Sequence, residues 1–237
     1  MWSGPRNIST AMMRSWENRP DTIVVDEPFY SYYLSTTGIV HPMNDEVIAS
    51  QPTDWREVVD QLMAPVPEKT SILYLKLMTH HFLESMERDW LSHLSHVFLI
   101  RNPRDMVVSL DEKTPKPKLL DTGFPQQLQI YNWLKQNTDQ ICPVIDSKDL
   151  LMNPEAMLKK LCGFLQIEFD ARMLEWPEGR RDSDGVWAPH WYGNVEKSTH
   201  FAPYKPKTGE VRPDLVELLD ECLPFYDELW KQRLTID

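Results

Sequence analysis

The chain has 237 residues, of which 41% are hydrophobic and 26% are charged. This composition is typical of a globular protein and excludes the low hydrophobicity of a disordered chain. The 36 acidic residues outnumber the 25 basic ones and give a formal net charge of −11. Because so negative a surface repels nucleic acids and anionic lipids, we expect neither as a partner, and an anionic ligand would need a local basic pocket.

The cysteine count and the hydropathy pattern both indicate a protein of a reducing compartment. Three scattered cysteines are too few for a disulfide framework and form no zinc-binding pair. No apolar run approaches the roughly 20 residues that a membrane helix needs, and the first residues lack the pattern of a secretory signal. We therefore expect a cytoplasmic protein without a membrane span.

Four short aliphatic or β-branched runs predict buried strands. They lie at residues 22–25, 72–75, 97–100 and 144–145. Runs that are apolar on both faces are typical of a parallel sheet covered on both sides. Helical patterns lie between them, and the alternation predicts an α/β fold with a mostly parallel central sheet and three layers.

Three helix starts have recognisable capping signals. The helix predicted over 9–18 begins with two hydroxyl residues, and the one over 54–63 has an acid three residues after its first aspartate. The third follows Asn153-Pro154-Glu155, which combines a cap, a proline at the first helical position and an early acid.

The C-terminal third is irregular in sequence. Residues 172–211 mix tryptophan and tyrosine with proline and glycine and show no clear period, which predicts a long loop or lid within a single domain spanning 1–237. A final helix is predicted from about Pro213 to Arg233, with an interruption near Pro224.

The first candidate binding segment is Ser3-Gly4-Pro5-Arg6-Asn7-Ile8-Ser9-Thr10, which leads directly into a helix. A helix N-terminus presents unpaired N–H groups and the positive end of the dipole, which favour phosphate. Arg6 adds a permanent charge, and Ser9 and Thr10 add hydroxyl donors. The segment is also compatible with an ordinary capped helix, and it lacks the lysine and second glycine of the ATP-binding GxxxxGK[ST] loop.

The second candidate segment begins where the strand over 97–100 ends. Arg101 would lie at the carboxyl edge of the sheet, where open α/β folds bind ligands. Pro103 would start a helix, and Ser109 would follow about two turns later. The guanidinium fork of Arg101 suits phosphate oxygens, although a surface ion pair and a solvent-facing serine would explain each residue taken alone.

Together the two segments resemble the sulfotransferase superfamily, whose sulfuryl donor is 3′-phosphoadenosine 5′-phosphosulfate (PAPS). In that family a Pro-Lys-Ser-Gly-Thr-Thr-like loop holds the 5′-phosphosulfate, and an Arg-x-Pro-x-Asp-x-x-x-Ser segment holds the 3′-phosphate. Residues 5–10 align with the loop, and the second pattern is matched at Arg101, Pro103, Asp105 and Ser109. The resemblance, which covers about residues 1–170, implies a P-loop-like fold and a set of PAPS-binding residues: Arg6, Asn7, Ser9, Thr10, Arg101 and Ser109.

The sequence departs from this family in three places. Arg6 replaces the usual lysine, which keeps the charge but not the compact ammonium. Ile8 stands where the family has glycine, so we expect a negative φ there. Two residues precede the loop where the family has a full central strand, so that strand is predicted to be a stub or the start to be misassigned.

Two alternatives exist for the general base. Glu27 follows the strand over 22–25, as a glutamate does in some bacterial carbohydrate sulfotransferases that this arrangement resembles, but Asp26 and Glu27 could also cap the next helix. His80, with His81 beside it, resembles the histidine of the Lys-Thr-His segment in cytosolic members, two residues further along. Arg6 would stabilise the leaving phosphate. The histidine pair has no third ligand at a recognisable spacing, so we expect no metal.

The predicted function is transfer of a sulfuryl group from PAPS to a hydroxyl of a small-molecule alcohol, with 3′-phosphoadenosine 5′-phosphate as the product. A non-catalytic nucleotide-binding relative and an ATP-dependent small-molecule kinase remain alternatives. The aromatic residues of segment 190–198 could stack on the adenine, close over the acceptor or anchor the loop to the core. Arg180-Arg181 or Lys205 with Lys207 could complete the 3′-phosphate site, and a homo-oligomer could supply a missing strand.

Overall fold

The computed structural model describes residues 1–114, 116–206 and 211–236. Five strands form one sheet in the order β2-β3-β1-β4-β5, and all neighbouring pairs are parallel. The strands are β1 (Trp2–Ser3), β2 (Thr22–Asp26), β3 (Ile72–Met78), β4 (Phe98–Ile100) and β5 (Val144–Asp146). The four predicted strands and the parallel α/β architecture are confirmed.

Eleven α-helices and four short 3₁₀ segments connect and follow the strands within the described residues. The α-helices are α1 (Ser9–Glu17), α2 (Tyr30–Thr37), α3 (Asn44–Ser50), α4 (Trp55–Leu62), α5 (Pro103–Asp111), α6 (Leu119–Thr122), α7 (Phe124–Asn137), α8 (Ser147–Met152), α9 (Pro154–Phe164), α10 (Ala188–Trp191) and α11 (Val216–Trp230). The 3₁₀ segments are Thr79–His81, Asp89–His93, Ala171–Leu174 and Pro213–Leu215. None of these helices is long and apolar enough to cross a bilayer.

The sheet separates two buried apolar clusters because side chains of a strand alternate between its faces. Phe98 and Ile100 of β4 pack into the cluster that includes α4, α5, α7 and α11. Leu99, between them, packs into the cluster that includes α1, α2 and α9. The layers are therefore helix, sheet and helix, as the apolar strands predicted.

The central strand β1 is only two residues long, in agreement with the predicted stub. It nevertheless pairs with β3 on one side and β4 on the other. Trp2 is fully buried, and its indole Nε1 donates to His96 Nδ1 at 2.9 Å. His96 Nε2 lies 2.8 Å from Leu91 O, so it carries the proton and donates, and the ring is neutral. The stub thus stays in place through a large side chain as well as its ladder hydrogen bonds.

The prediction that Pro224 interrupts the last helix was wrong. Helix α11 runs continuously through Pro224, which faces solvent. Leu218, Cys222 and Leu229 on the opposite face are buried in the core. Burial of this apolar face outweighs the single backbone hydrogen bond that proline removes.

Candidate active site

A cavity opens at the carboxyl edge of the sheet, beside β1 and β4. These adjacent strands are followed by α1 and α5, which pack on opposite faces of the sheet, so the loops diverge and leave a crevice between them. The cavity measures about 560 Å³. Eight of the predicted site residues line it, namely Arg6, Asn7, Ser9, Thr10, Glu27, His80, Arg101 and Ser109.

The loop before α1 has an unusual backbone. Arg6 and Ile8 have φ values of 61° and 62°, so the expectation of a negative φ at Ile8 was wrong. A β-branched residue is strained in this left-handed region. Two contacts hold the loop in place: Arg101 Nη1 donates to Arg6 O at 2.7 Å, and Asn7 Nδ2 donates to Leu99 O at 3.3 Å.

This conformation leaves the N-terminus of α1 facing the cavity without a side-chain cap. Ile8 occupies the cap position, and its apolar side chain cannot accept a hydrogen bond from the first amides of the helix. Hydroxyl side chains follow at Ser9 and Thr10. Uncapped amides at the positive end of a helix are suited to an anion.

The floor beneath the loop is closely packed. Gly123, between α6 and α7, has a φ of 74°, and a Cβ at this position would lie 2.4 Å from Thr79 Oγ1 and 3.2 Å from Gly4 Cα. A Cβ on Gly4 would lie 2.5 Å from Thr122 O. Glycine at both positions therefore allows the loop before α1 to approach the turn between α6 and α7.

The two candidate anion-binding segments are in direct contact. Arg6 Nε donates to Ser109 Oγ at 3.1 Å, in addition to the bond from Arg101 to Arg6 O. Burial lowers the pKa of both arginines, and the charge of Arg101 lowers the pKa of Arg6 further. Two partly buried guanidinium groups in each other's field, together with the free amides of α1, fit a ligand with several negative charges.

Glu27 belongs to a buried charged cluster and does not cap α2, so the capping alternative is wrong. Lys76 Nζ on β3 donates to Glu27 Oε1 at 2.5 Å and to Asp26 Oδ1 at 2.9 Å. Lys76 also donates to Tyr192 OH at 2.6 Å, and this hydroxyl donates to Asp26 Oδ2 at 2.7 Å. Helix α2 has Phe29 at its cap position and no side-chain cap.

The pKa values of Glu27 and Lys76 are both raised. Burial raises the pKa of Glu27, Lys76 opposes this effect, and Asp26 adds to it. The pKa of Lys76 is also raised, because Asp26 and Glu27 outweigh the effect of burial. Glu27 is therefore a stronger base than an ordinary carboxylate.

His80 and His81 are buried in an aromatic wall of the cavity, so neither is a solvent-facing histidine. Tyr30 and Tyr33 both stack on the His81 ring, at centroid distances of 4.5 and 4.8 Å, and Tyr33 meets His80 edge-on. Burial lowers the pKa of His80 to about 3 and that of His81 well below its ordinary value. His41 also lines this wall. His80 and His81 are neutral at physiological pH because their pKa values are so low.

The irregular segment after α9 is anchored to the core and also lines the cavity. Trp187 is buried, and its Nε1 donates to Tyr192 OH at 3.1 Å. Arg14 Nη2 on α1 donates to Asp184 Oδ2 at 2.6 Å, and neither side chain is exposed. Trp191 and Asn194 face the cavity from the same segment. The anchoring role predicted for the aromatic residues of 190–198 thus has a structural counterpart in Tyr192, whereas stacking on the adenine and closure over the acceptor stay predictions.

Other predicted residues lie elsewhere. Of the described residues that line the cavity, none is Arg180, Arg181 or Lys205. Lys207 lies outside the described part of the chain. The prediction that these residues complete the 3′-phosphate site gains no support from the cavity's described lining.

One cavity residue, Lys76, was missed by the sequence analysis. Lys76 is a lone cation directly after an apolar run, and β3 continues past it to Met78. A charged residue inside a strand buried on both faces requires a partner, and that signal was available in the sequence. Tyr192 belongs to the aromatic segment that the sequence singled out, but its contacts with Lys76 and Asp26 had no local signal.

Comparison with known proteins identifies the family. The family model described as "Sulfotransferase domain" matches residues 1–233. The chain belongs to the sulfotransferase family. A solved structure, the sulfotransferase domain from the Synechococcus PCC 7002 olefin synthase, has a TM-score of 0.53 and 16% sequence identity, and the match covers 93% of this chain and 92% of that one. At this identity the similarity supports the fold alone.

Two curated relatives of this sulfotransferase domain come from Arabidopsis thaliana. Branched-chain-amino-acid aminotransferase-like proteins 1 and 2 are 36% and 35% identical over 228 and 230 residues. Each match covers 96% of this chain but only 40% of the relative. The chain therefore spans less than half of their length, and their names describe proteins that are much longer than the part in common.

Proposed function

We propose that this sulfotransferase uses PAPS and transfers its sulfuryl group to a hydroxyl of a small-molecule acceptor. The observation that carries the proposal is the direct contact of Arg6 with Ser109 and of Arg101 with the Arg6 backbone, in a cavity that Glu27 also lines. Bound PAPS would supply an activated sulfuryl group with an adenosine bisphosphate as its leaving group.

The residues divide into two anion-binding sets under this proposal. Arg6, Asn7 and the amides and hydroxyls at Ser9 and Thr10 bind the 5′-phosphosulfate. Arg101 and Ser109 bind the 3′-phosphate. Arg6 is placed to stabilise charge on the bridging oxygen, so positioning and electrostatics do most of the work, as in phosphoryl transfer.

Glu27 is the favoured general base. Its raised pKa moves it toward neutrality, where a base combines availability with proton affinity. His80 has the opposite property, since a pKa of about 3 makes its imidazole a weak base. We assign His80 to the aromatic wall of the cavity, which would face the acceptor. That wall is formed by Tyr30, His41, His80, His81 and Trp191, and it suits an alcohol on a partly apolar, uncharged molecule.

The test is calorimetry with 3′-phosphoadenosine 5′-phosphate. Arg101→Ala is expected to weaken binding roughly 10- to 150-fold, since a hydrogen bond to a charged group contributes about 1.5–3 kcal/mol. The control is Arg172→Ala, whose side chain is 58% exposed and paired with Asp170. Unchanged affinity in Arg101→Ala, or tighter binding of ATP than of the bisphosphate, would contradict the proposal.

Catalysis is tested separately with ³⁵S-labelled PAPS and a panel of phenols, steroid alcohols, long-chain alcohols and sugars. Wild-type protein is expected to label at least one acceptor, and Glu27→Gln is expected to bind the nucleotide normally but to lose transfer. His80→Gln is expected to alter the choice of acceptor more than the maximal rate. Binding without transfer to any acceptor would favour the non-catalytic relative.

A further inference from the structure

The carboxyl ends of β2 and β3 hold two carboxylates and one ammonium in mutual contact. Asp26 on β2 is paired in register with Lys76 on β3, and Glu27 follows directly. Lys76 Nζ binds both carboxylates, at 2.9 and 2.5 Å. Tyr192 OH donates to Asp26 at 2.7 Å, and Gly185 N lies 3.2 Å from the same oxygen.

The three charged members differ in their access to the cavity. The side chains of Asp26 and Lys76 are 1% exposed, whereas that of Glu27 is 11% exposed. Glu27 lines the cavity, and Asp26 lies behind it. A proton from a ligand can therefore reach Glu27 but not Asp26.

The charges of the cluster do not cancel when all three groups are ionised. Two negative charges and one positive charge leave a net charge of −1 in a buried site, which costs several kcal/mol. When Glu27 takes up a proton, Asp26 and Lys76 remain as a neutral pair. The cluster is therefore arranged to accept one proton, and the accessible carboxylate that binds this proton is Glu27.

We propose that Asp26, Lys76 and Tyr192 are positioning residues that make Glu27 a proton acceptor: Lys76 fixes its carboxylate, Tyr192 fixes Asp26, and Asp26 supplies the excess negative charge that draws the proton. This inference rests on the proposed function. Among the described residues, Glu27 Oε2 has no hydrogen bond, whereas Oε1 is bound to Lys76.

The proton and electron balance of the step is simple. The O–H bond of the acceptor breaks, its proton passes to Oε2 of Glu27, and its electron pair forms the new oxygen–sulfur bond. The bond between sulfur and the bridging phosphate oxygen breaks, and its electron pair leaves with the bisphosphate, near Arg6. Glu27 then releases the proton to water through the open cavity.

Other titratable groups that face Glu27 stay in one protonation state near neutral pH. Burial and then the charge of Glu27 raise the pKa of Tyr30, which therefore remains protonated. Tyr192 also remains protonated, because burial and the two carboxylates raise its pKa. His80 and His81 remain neutral because burial lowers their pKa values. Of the groups at this site, Glu27 is therefore the one that we assign to take up the proton.

The decisive experiment measures the titration of Glu27 directly, without nucleotide or acceptor. Protein labelled with ¹³C at the glutamate carboxyl carbons is titrated by NMR, and Glu27→Gln identifies the resonance. Asp26→Asn, which keeps the shape of the side chain, is expected to lower the midpoint by about one pH unit or more, since it removes a like charge in contact. Lys76→Met is expected to raise the midpoint.

Two further variants keep the test decisive. Lys76→Arg retains the cation and is expected to leave the midpoint close to wild type, and it replaces Lys76→Met if that variant does not fold. The matched control is Asp146→Asn, another buried strand-end carboxylate, which accepts from Tyr226 at 2.7 Å and should not move Glu27. An unchanged midpoint in Asp26→Asn would overturn the proposal.

The pH dependence of transfer distinguishes this inference from the proposed function. The acid limb of kcat/KM should move to lower pH in Asp26→Asn and to higher pH in Lys76→Met, whereas a merely structural role would lower the rate at every pH. If Glu27→Gln keeps full transfer activity, the proposed base is wrong whatever the NMR midpoint does. If Glu27→Gln is inactive but Asp26→Asn moves neither the midpoint nor the limb, only the positioning role fails.

Discussion

Replacing Asp184 with alanine is expected to destabilise the protein strongly, because it removes the partner of a fully buried cation. Arg14 Nη2 contacts Asp184 Oδ2 at 2.6 Å, and both side chains have no exposed surface. The other acidic contact of Arg14, with Glu17, is 3.4 Å long, and the Glu17 side chain is 18% exposed. Burial lowers the pKa of Arg14, but Asp184 and two other carboxylates outweigh this effect and raise it. A guanidinium group does not lose its proton in proteins, so Arg14 stays charged when Asp184 is removed.

The size of the effect follows from burial. Breaking a buried ion pair from one side costs about 3–5 kcal/mol in the free energy of unfolding. For a chain of about 150–250 residues, each kcal/mol lowers Tm by roughly 2–4 °C. Scanning calorimetry of Asp184→Ala should therefore show Tm about 6–20 °C below that of the wild-type protein.

The control is an exposed pair of the same chemistry. Lys159 and Glu155 on α9 lie 2.6 Å apart and are both 55% exposed, so Glu155→Ala should lower the free energy of unfolding by only about 0.3–0.5 kcal/mol. The double variant Arg14→Met/Asp184→Leu should recover much of the lost stability, since an apolar pair leaves no buried charge. A Tm change for Asp184→Ala as small as that of the control would refute the reasoning.

Three further predictions concern the packing under the loop before α1, the contact between the two candidate binding segments and the response of stability to acid. Gly123→Ala should destabilise the protein and weaken binding of 3′-phosphoadenosine 5′-phosphate, because a Cβ at this position has no space and φ is 74°. The control is Gly163→Ala on an open face of α9, which should instead stabilise the protein by about 1 kcal/mol in chemical denaturation. Ser109→Ala should weaken bisphosphate binding in calorimetry about two- to tenfold through loss of its contact with Arg6, and an unchanged affinity would argue against its assignment. Burial lowers the pKa of His96 to about 4, against about 6.5 in the unfolded chain. The stability that neutral His96 contributes is therefore complete above pH 6.5 and falls by about 3 kcal/mol as the pH drops toward 4. His96→Phe should flatten this part of the pH profile of the free energy of unfolding, measured in urea.

Much of the fold could be predicted from the sequence because its signals are local. The run at 144–145 became β5, and Asn153 caps α9 with its side chain accepting from Ala156 N. Pro103 begins α5 as expected. Runs that are apolar on both faces, and capping residues at helix starts, depend on a few neighbouring residues and on the general physics of burial.

Features that depend on distant residues could not be predicted. The contact of Arg14 with Asp184 joins residues 170 positions apart, and nothing near either residue indicates the other. The left-handed Ile8 depends on contacts of the loop with Arg101 and Leu99 rather than on its own preference. The order of the two binding motifs along the chain indicated a common site, but the distances between their residues could be obtained only from the folded structure.

Three of the described non-glycine residues with positive φ, Arg6, Ile8 and Glu27, line the same cavity. Each left-handed residue costs about 1–2 kcal/mol, which the remaining contacts of the molecule must offset. A screen for heat tolerance alone would therefore select substitutions at these positions, where glycine or asparagine removes the backbone strain. The hardier proteins obtained in this way would tend to lose nucleotide affinity, so selection of this domain for engineering should score ligand binding and melting temperature together.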